Sequence, residues 1–152
     1  MKRKTAAIMV ADLVSYSAMM ERDEDDAAQR VQALQDLIRQ KVQALEGRVF
    51  NTAGDAALAE FPSAIGAIRC AMEIRTALAC EHPDAAAPLQ MRFGLHLADV
   101  VLHGEDLIGD GINLAARIQQ SAEPDEIRVS AALFDHVRRN SPFRFETLGE
   151  LT

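Results

Sequence analysis

Two pairs of polar residues carry the chemistry that this chain offers. Asn113 and Arg117 lie four residues apart, directly after the glycine-rich stretch from Gly104 to Gly111. This spacing places both on one face of a predicted helix, with Asp110 as its candidate N-cap. An amide beside a guanidinium suits a site where negative charge develops on oxygen. The same pattern is also typical of a solvated helix surface, so this pair alone does not decide between the two.

The second pair consists of Asp12 and Asp55. Asp12 lies near the end of a predicted buried strand, Thr5 to Val14, and Asp55 lies at or beside the tip of a predicted β-hairpin. If that strand and that hairpin are neighbours in one sheet, the two carboxylates converge. A sparse carboxylate pair suits divalent cations that are bound together with substrate phosphates. Taken singly, Asp12 is also a candidate helix cap and Asp55 a simple turn residue.

The hydrophobic pattern predicts the elements that would position these residues. Apolar residues recur at helical spacing from Ala27 to Leu45, and Met91 to Leu97 alternates as in a strand buried on one face. Two short strands, Arg48 to Thr52 and Ala56 to Phe61, form the hairpin. The whole order is β-α-β-β-α-β-α-β-α-β, with Phe143 to Thr147 as the last strand. This order predicts an α+β fold, a ferredoxin-like antiparallel sheet of the βαββαβ type with helices on one face.

Composition limits the partners of this single predicted domain, residues 1–152. The net charge of −7 argues against nucleic acid or an anionic membrane as the main partner, since both require clustered cations. No apolar run approaches the roughly 18 residues of a membrane span. Cys70 and Cys80 fall in one predicted helix about 15 Å apart along its axis, too far for a disulfide. Reduced cysteines predict a cytoplasmic protein.

Three segments carry a resemblance to a known family: VADLVSYSAMM, FNTAGDAALAEF and LIGDGINLAARI. In this order and at these separations they resemble the signature segments of class III adenylate/guanylate cyclase catalytic domains, in the bacterial branch of that family. The resemblance covers nearly the whole chain. Three ordered motifs are far more specific than any one of them alone.

The resemblance implies a head-to-tail homodimer with an active site at each interface. One subunit would bind two Mg²⁺ or Mn²⁺ ions through Asp12 and Asp55, and its partner would stabilise the transition state through Asn113 and Arg117. Asp106 matches the family's purine-reading aspartate. The implied reaction converts ATP to 3′,5′-cyclic AMP and pyrophosphate. Backbone N–H groups at the turn into the first helix are natural phosphate ligands; they belong to Leu13, Val14, Ser15, Tyr16 and Ser17.

The chain departs from the family pattern at several places. Asn51 occupies the position of the adenine-reading lysine, which would weaken but not remove donation to the base. Ser15, Ala56 and Ala98 stand where glycines are usual, and each loses freedom at positive φ. The family pattern also continues past FETLGE into a further strand, whereas this sequence stops at Thr152. These departures keep open an alternative, a catalytically degenerate module that binds nucleotide and serves in regulatory dimerisation.

Overall fold

The computed structural model describes residues 2–53, 55–81 and 89–148. The chain forms an α+β fold, as expected. Its strands are β1 (Arg3–Leu13), β2 (Arg48–Ala53), β3 (Ala56–Phe61), β4 (Met91–His103), β5 (Asp106–Ile108) and β6 (Ile127–Val129). Its helices are α1 (Tyr16–Arg22), α2 (Glu24–Ala44), α3 (Ala64–Glu81), α4 (Asp110–Ser121) and α5 (Ala131–Val137).

The sheet has the strand order β2-β3-β1-β4-β5, and all of these neighbours are antiparallel. The first four strands in sequence therefore lie in the ferredoxin-like order that the sequence predicts. β1 is central: Ile8 pairs with Glu60 of β3 on one side and with His96 of β4 on the other. The short strand β6 is the exception, because it pairs in parallel with β4, Phe93 opposite Ile127.

Both faces of the sheet are covered, and the expectation of helices on one face is therefore wrong. Odd-numbered residues of β1, such as Met9, face the large core shared with α2, α3 and α5. Even-numbered residues, such as Ile8, face a smaller core that includes Ala115 of α4. The face that carries α4 is called the α4 face below. It carries the even-numbered Asp12 of β1 and, opposite it in register, Arg92 of β4.

Two glycines allow α4 to lie directly on this face. A Cβ added at Gly94 would come within 2.4 Å of the Gln119 backbone nitrogen and 2.5 Å of the Ala115 carbonyl oxygen. A Cβ added at Gly111 would come within 2.3 Å of the Ala98 Cβ. No side chain fits at either place. The two glycines therefore allow the short distance between α4 and β4.

Two local predictions differ from the structure, and one strand was not predicted. Phe143 to Thr147 is not a strand; the Phe143 and Phe145 rings instead pack on the large core, and Phe145 meets Phe134 edge to face with centroids 5.0 Å apart. Asp110 is the first residue of α4 rather than its N-cap, which is Gly109. β5, which follows a tight turn after β4, was not predicted as a strand.

The prediction that the two cysteines form no disulfide agrees with the structure. Cys70 and Cys80 both lie in α3 and are free thiols, the first buried and the second exposed. Burial raises the pKa of the Cys70 thiol to about 12, so this side chain is an uncharged core residue. Within the described ranges, no helix is long and apolar enough to cross a bilayer.

Candidate active site

The two aspartates predicted to converge do so. Asp12 lies one residue before the end of β1, and Asp55 lies in the turn between β2 and β3. Oδ2 of Asp55 accepts a hydrogen bond from the backbone N–H of Leu13 at 3.1 Å. The two carboxylates are close enough for the negative charge of Asp55 to raise the pKa of Asp12. The hairpin turn is therefore fastened to the end of the central strand, with both acids beside that junction.

Asp12 lies in a polar cluster that is not internally satisfied. Burial is the largest influence and raises its pKa, while the neighbouring Gln119 amide and Arg92 guanidinium favour the charged form and Asp55 opposes it. Within the described part of the chain, three buried atoms of this cluster lack a well-formed hydrogen bond. They are Oδ1 of Asp12, Nε of Arg92 and Nε2 of Gln119. An unpartnered carboxylate oxygen in a half-buried place is costly unless something else neutralises it.

These features fit a divalent cation held jointly with phosphate oxygens. Asp12 and Asp55 are hard oxygen donors, the kind that Mg²⁺ and Mn²⁺ prefer, and Oδ1 of Asp12 is available. Among the described residues, no group of three or more acidic, histidine or cysteine side chains could hold a metal ion by itself. Two carboxylates leave several positions around a magnesium ion open, and such positions are usually filled by water and by the phosphates of a bound substrate.

Asn113 and Arg117 lie together on the exposed side of α4. The buried side of this helix carries Ala115 and Gln119, which lie against β4. Arg117 follows Ala115 by two residues, about 200° around the helix, so it faces away from the sheet. Asp12 lies beneath α4, beside Gln119, and the structure thus separates the aspartate pair from Asn113 and Arg117 within one chain.

Asn51 and Asp106, the candidate base-reading residues, are both exposed. Asn51 pairs with Leu58 next to an irregularity in β2 and lies on the α4 face. Asp106 is the first residue of β5, and its Oδ1 accepts from the backbone N–H of Leu107 at 2.8 Å. This contact orients the Asp106 carboxylate at the start of the strand.

The candidate phosphate-binding turn is smaller than expected. The N–H of Leu13 is donated to Asp55, and that of Val14 is donated to the carbonyl oxygen of Gln90 at 2.8 Å. These two N–H groups are engaged within the protein, and the expectation for Leu13 and Val14 is corrected accordingly. Ser15, Tyr16 and Ser17 remain candidates, since Ser15 is the N-cap of α1 and the other two belong to its first turn.

Of the three residues that stand where glycines are usual in the family, only one has a positive φ. Ser15 adopts the left-handed conformation, with φ 63° and ψ 31°. Ala56 and Ala98 are not among the non-glycine residues with positive φ. The expected loss of conformational freedom is therefore confirmed for Ser15 and wrong for the two alanines.

The fold and these motifs define the class of protein. The chain belongs to the adenylate and guanylate cyclase catalytic domain family, whose model matches residues 1–152. This confirms the family resemblance read from the three signature segments.

Individual relatives agree with this membership. A Rhizobium meliloti protein, provisionally named adenylate cyclase 3, is 35% identical over 151 residues, which cover 97% of this chain and 26% of that protein. The crystal structure of an adenylate/guanylate cyclase/hydrolase from Silicibacter pomeroyi is 34% identical with a TM-score of 0.89, covering 97% of this chain and 88% of that one. The adenylyl cyclase CyaB from P. aeruginosa shares the fold, with a TM-score of 0.81 at 17% identity and coverage of 91% and 83%. The chain thus spans about a quarter of the length of the Rhizobium relative.

Two residues beside the candidate site were missed by sequence reasoning. Gln119 and Arg92 adjoin Asp12, one from α4 and one from β4. Arg92 follows from strand register once β1 and β4 are known to pair. Gln119 is only 4% exposed. The sequence signal for it is its position four residues after Ala115, which places it on the same, small-residue side of the predicted helix.

Proposed function

We propose that this chain is an adenylate cyclase domain that converts ATP to 3′,5′-cyclic AMP and pyrophosphate at the interface of a head-to-tail homodimer. The observation that carries this proposal is the placement of the two residue pairs. Asp12 lies beside the buried Gln119 of α4 with Asp55 next to it, whereas Asn113 and Arg117 are on the exposed side of that helix. One chain therefore cannot apply both pairs to one nucleotide, but two chains related by a twofold axis can.

Asp12 and Asp55 would hold two divalent cations, Mg²⁺ or Mn²⁺, together with the triphosphate. When bound, such ions supply Lewis-acid activation of the ribose 3′-hydroxyl and neutralise charge on the leaving pyrophosphate. The Leu13 N–H fixes the Asp55 carboxylate beside Asp12 before substrate arrives. The backbone N–H groups of Ser15, Tyr16 and Ser17 would donate to phosphate oxygens at the same end of β1.

The partner subunit would contribute the transition-state contacts. Arg117 carries a permanent charge and would donate to the α-phosphate oxygens as negative charge grows there. Asn113, one helical turn earlier on the same face, would orient the ribose so that the 3′-oxygen lies in line with the bond that breaks. Both side chains are exposed in the single chain, as residues awaiting a partner should be. Ile108 and Leu114, 51% and 40% exposed, add apolar surface beside them.

Asp106 and Asn51 support adenine as the base. An aspartate accepts from the adenine 6-amino group, and the Asn51 amide can donate to N1. Guanine reverses this demand, because it presents an oxygen at position 6 and a protonated N1. Since Asn51 is shorter than a lysine and uncharged, we expect adenine recognition to be weaker than a lysine would give.

The direct experiment is product analysis. The protein is incubated with ATP or GTP and Mn²⁺ over a concentration series that spans dimerisation, and cyclic nucleotides are resolved by chromatography. The proposal predicts cyclic AMP as the main product, with specific activity rising with protein concentration. Binding of ATP without turnover at any concentration would instead favour the regulatory module. The specific argument for that module is that Asn51 stands where the family has its adenine-reading lysine.

A further inference from the structure

Arg48 connects two parts of the molecule that lie far apart in the sheet. It is the first residue of β2, at one edge of the sheet, whereas β5 lies at the opposite edge. Nevertheless, Nη1 of Arg48 donates to the carbonyl oxygen of Glu105 at 2.5 Å, across 57 residues of sequence. Glu105 immediately precedes β5. Arg48 thus bridges the strand that carries Asn51 and the turn that leads into Asp106.

A buried carboxylate fixes the Arg48 guanidinium in this position. Oε2 of Glu60 accepts from Nη2 of Arg48 at 2.6 Å and from Nε at 3.2 Å. Oε1 of Glu60 accepts from the Lys4 ammonium on the other side. The Glu60 side chain is only 10% exposed and lies between the Lys4 and Arg48 cations. Because water cannot readily replace these partners, the carboxylate holds the guanidinium in place. The planar fork of Arg48 is therefore anchored through two N–H groups, with a third directed at Glu105.

The Glu105 carbonyl belongs to a turn whose geometry sets the position of Asp106. His103 pairs with Asp106, which leaves Gly104 and Glu105 as a two-residue hairpin loop. Gly104 has φ +65°, and a Cβ added there would meet no atom within 4 Å, so glycine is favoured at this place by backbone conformation and not by packing. Asp106 closes this loop. A displacement of the Glu105 peptide therefore moves Asp106 directly.

Arg48 also shares a face with Asn51. Arg48 pairs with Glu60 and Asn51 pairs with Leu58, so both project to the α4 face of the sheet. The two groups assigned above to the edges of the purine thus come from elements that Arg48 holds together. Their separation decides which hydrogen-bonding pattern a base must present.

We propose that Arg48 is a positioning residue for purine selection, anchored by Glu60, which sets the position of Asp106 relative to Asn51. This inference rests on the proposed nucleotide site but concerns discrimination between bases rather than catalysis. Arg48 acts through Asp106 and touches neither phosphate nor metal in this assignment. Its loss should therefore alter base preference while leaving turnover of bound ATP nearly unchanged.

The test compares Arg48→Met, which keeps the aliphatic length, with Arg48→Lys, which keeps the charge beside Glu60 but lacks the fork. Arg39→Met, an exposed arginine of α2 on the other side of the sheet, is the matched control. For each protein, kcat and KM are measured with ATP and with GTP, and the Kd of each nucleotide is measured by calorimetry. We expect the ATP-to-GTP ratio of kcat/KM to fall about three- to tenfold in Arg48→Met, the effect of one lost hydrogen bond, mainly through KM.

Arg48→Lys separates positioning from folding. We expect it to restore the melting temperature toward that of the parent while leaving base selection impaired. An unchanged ATP-to-GTP ratio in both folded variants would overturn the inference, as would a ratio that recovers in step with the melting temperature. If the parent binds nucleotides without turnover, the proposed function fails, and the ratio of Kd values still tests Arg48. Failure of the parent to bind either nucleotide would overturn both proposals.

Discussion

The backbone N–H of Leu13 donates to Oδ2 of Asp55 at 3.1 Å, across 42 residues of sequence. This single bond fastens the β2–β3 turn to the end of the central strand and places Asp55 beside Asp12. The two acids therefore form a preorganised pair in the free chain rather than one that must be assembled by a ligand. This arrangement has a cost, because Asp12 is partly buried next to a second acid and its Oδ1 lacks a well-formed hydrogen bond among the described residues.

This cost predicts that Asp12→Asn stabilises the metal-free protein at neutral pH. The folded state raises the pKa of Asp12 above its usual 3.8, chiefly through burial, so folding favours the protonated carboxyl. The resulting stability is fully present below the unfolded pKa and is lost as pH rises through the folded pKa. We expect the variant to melt at a higher temperature than the parent at pH 7 in EDTA, with the difference shrinking toward pH 4.

Metal should reverse that order. Titration with Mn²⁺ and nucleotide should raise the melting temperature of the parent progressively and that of Asp12→Asn much less, because only the parent gains binding energy. Asp135→Asn, at an exposed position of α5, is the control and should behave as the parent in both experiments. A lower melting temperature for Asp12→Asn than for the parent in EDTA would contradict the cost assigned to the buried Asp12 carboxylate.

Ser15→Gly should stabilise the chain by about 0.5–1 kcal/mol, since relief of the left-handed conformation exceeds the added entropy of glycine in the unfolded state. Ser15 makes no side-chain cap hydrogen bond to α1, so the substitution removes no such contact. Chemical denaturation measures the difference. Ser15→Ala, which keeps a Cβ in the same conformation, should give no gain, and an equal gain in both variants would show that φ is not the cause.

Gly94→Ala should destabilise the protein by about 2 kcal/mol or more, because the new Cβ meets backbone atoms of α4 that cannot move without the helix. Cyclase activity should fall by more than the loss of folded protein accounts for, since the displaced helix carries Asn113 and Arg117. The control is Gly66→Ala within α3, where the nearest atom to the new Cβ is 3.5 Å away. That substitution should stabilise by about 0.5–1 kcal/mol. Equal effects of the two substitutions would refute the packing argument.

The sequence predicts the ferredoxin-like order and the convergence of Asp12 and Asp55, because both follow from local patterns and from three ordered motifs. It does not predict that α4 covers the second face of the sheet. On β4, Met91, Phe93 and Leu95 mark a buried face, whereas Gly94 and Ala98 opposite them resemble a solvated one. In the structure, those small residues are the surface that α4 needs for close approach.

The contacts of Arg48 and Gln119 were also beyond sequence reasoning, for a different reason. Arg48 meets the Glu105 carbonyl, and Gln119 adjoins Asp12, through tertiary proximity between elements that have no fixed spacing in the chain. At Phe143 and Phe145 the sequence predicts an element that does not form, since their alternation with polar residues is typical of a strand. Their rings cover the large core instead of joining the sheet.

The shared active site is tested most directly by mixing two inactive variants, Asp12→Asn and Arg117→Ala. If each site takes its aspartates from one subunit and its arginine from the other, a mixed dimer has one intact site. Random exchange of equal amounts makes about half of the dimers mixed, so about a quarter of the parental cyclic AMP formation should return. Asp12→Asn mixed with Asp55→Asn should stay inactive, because both changes affect the same half of the site. Failure of the first mixture to recover activity while subunits exchange, or recovery in the second mixture, would contradict the account.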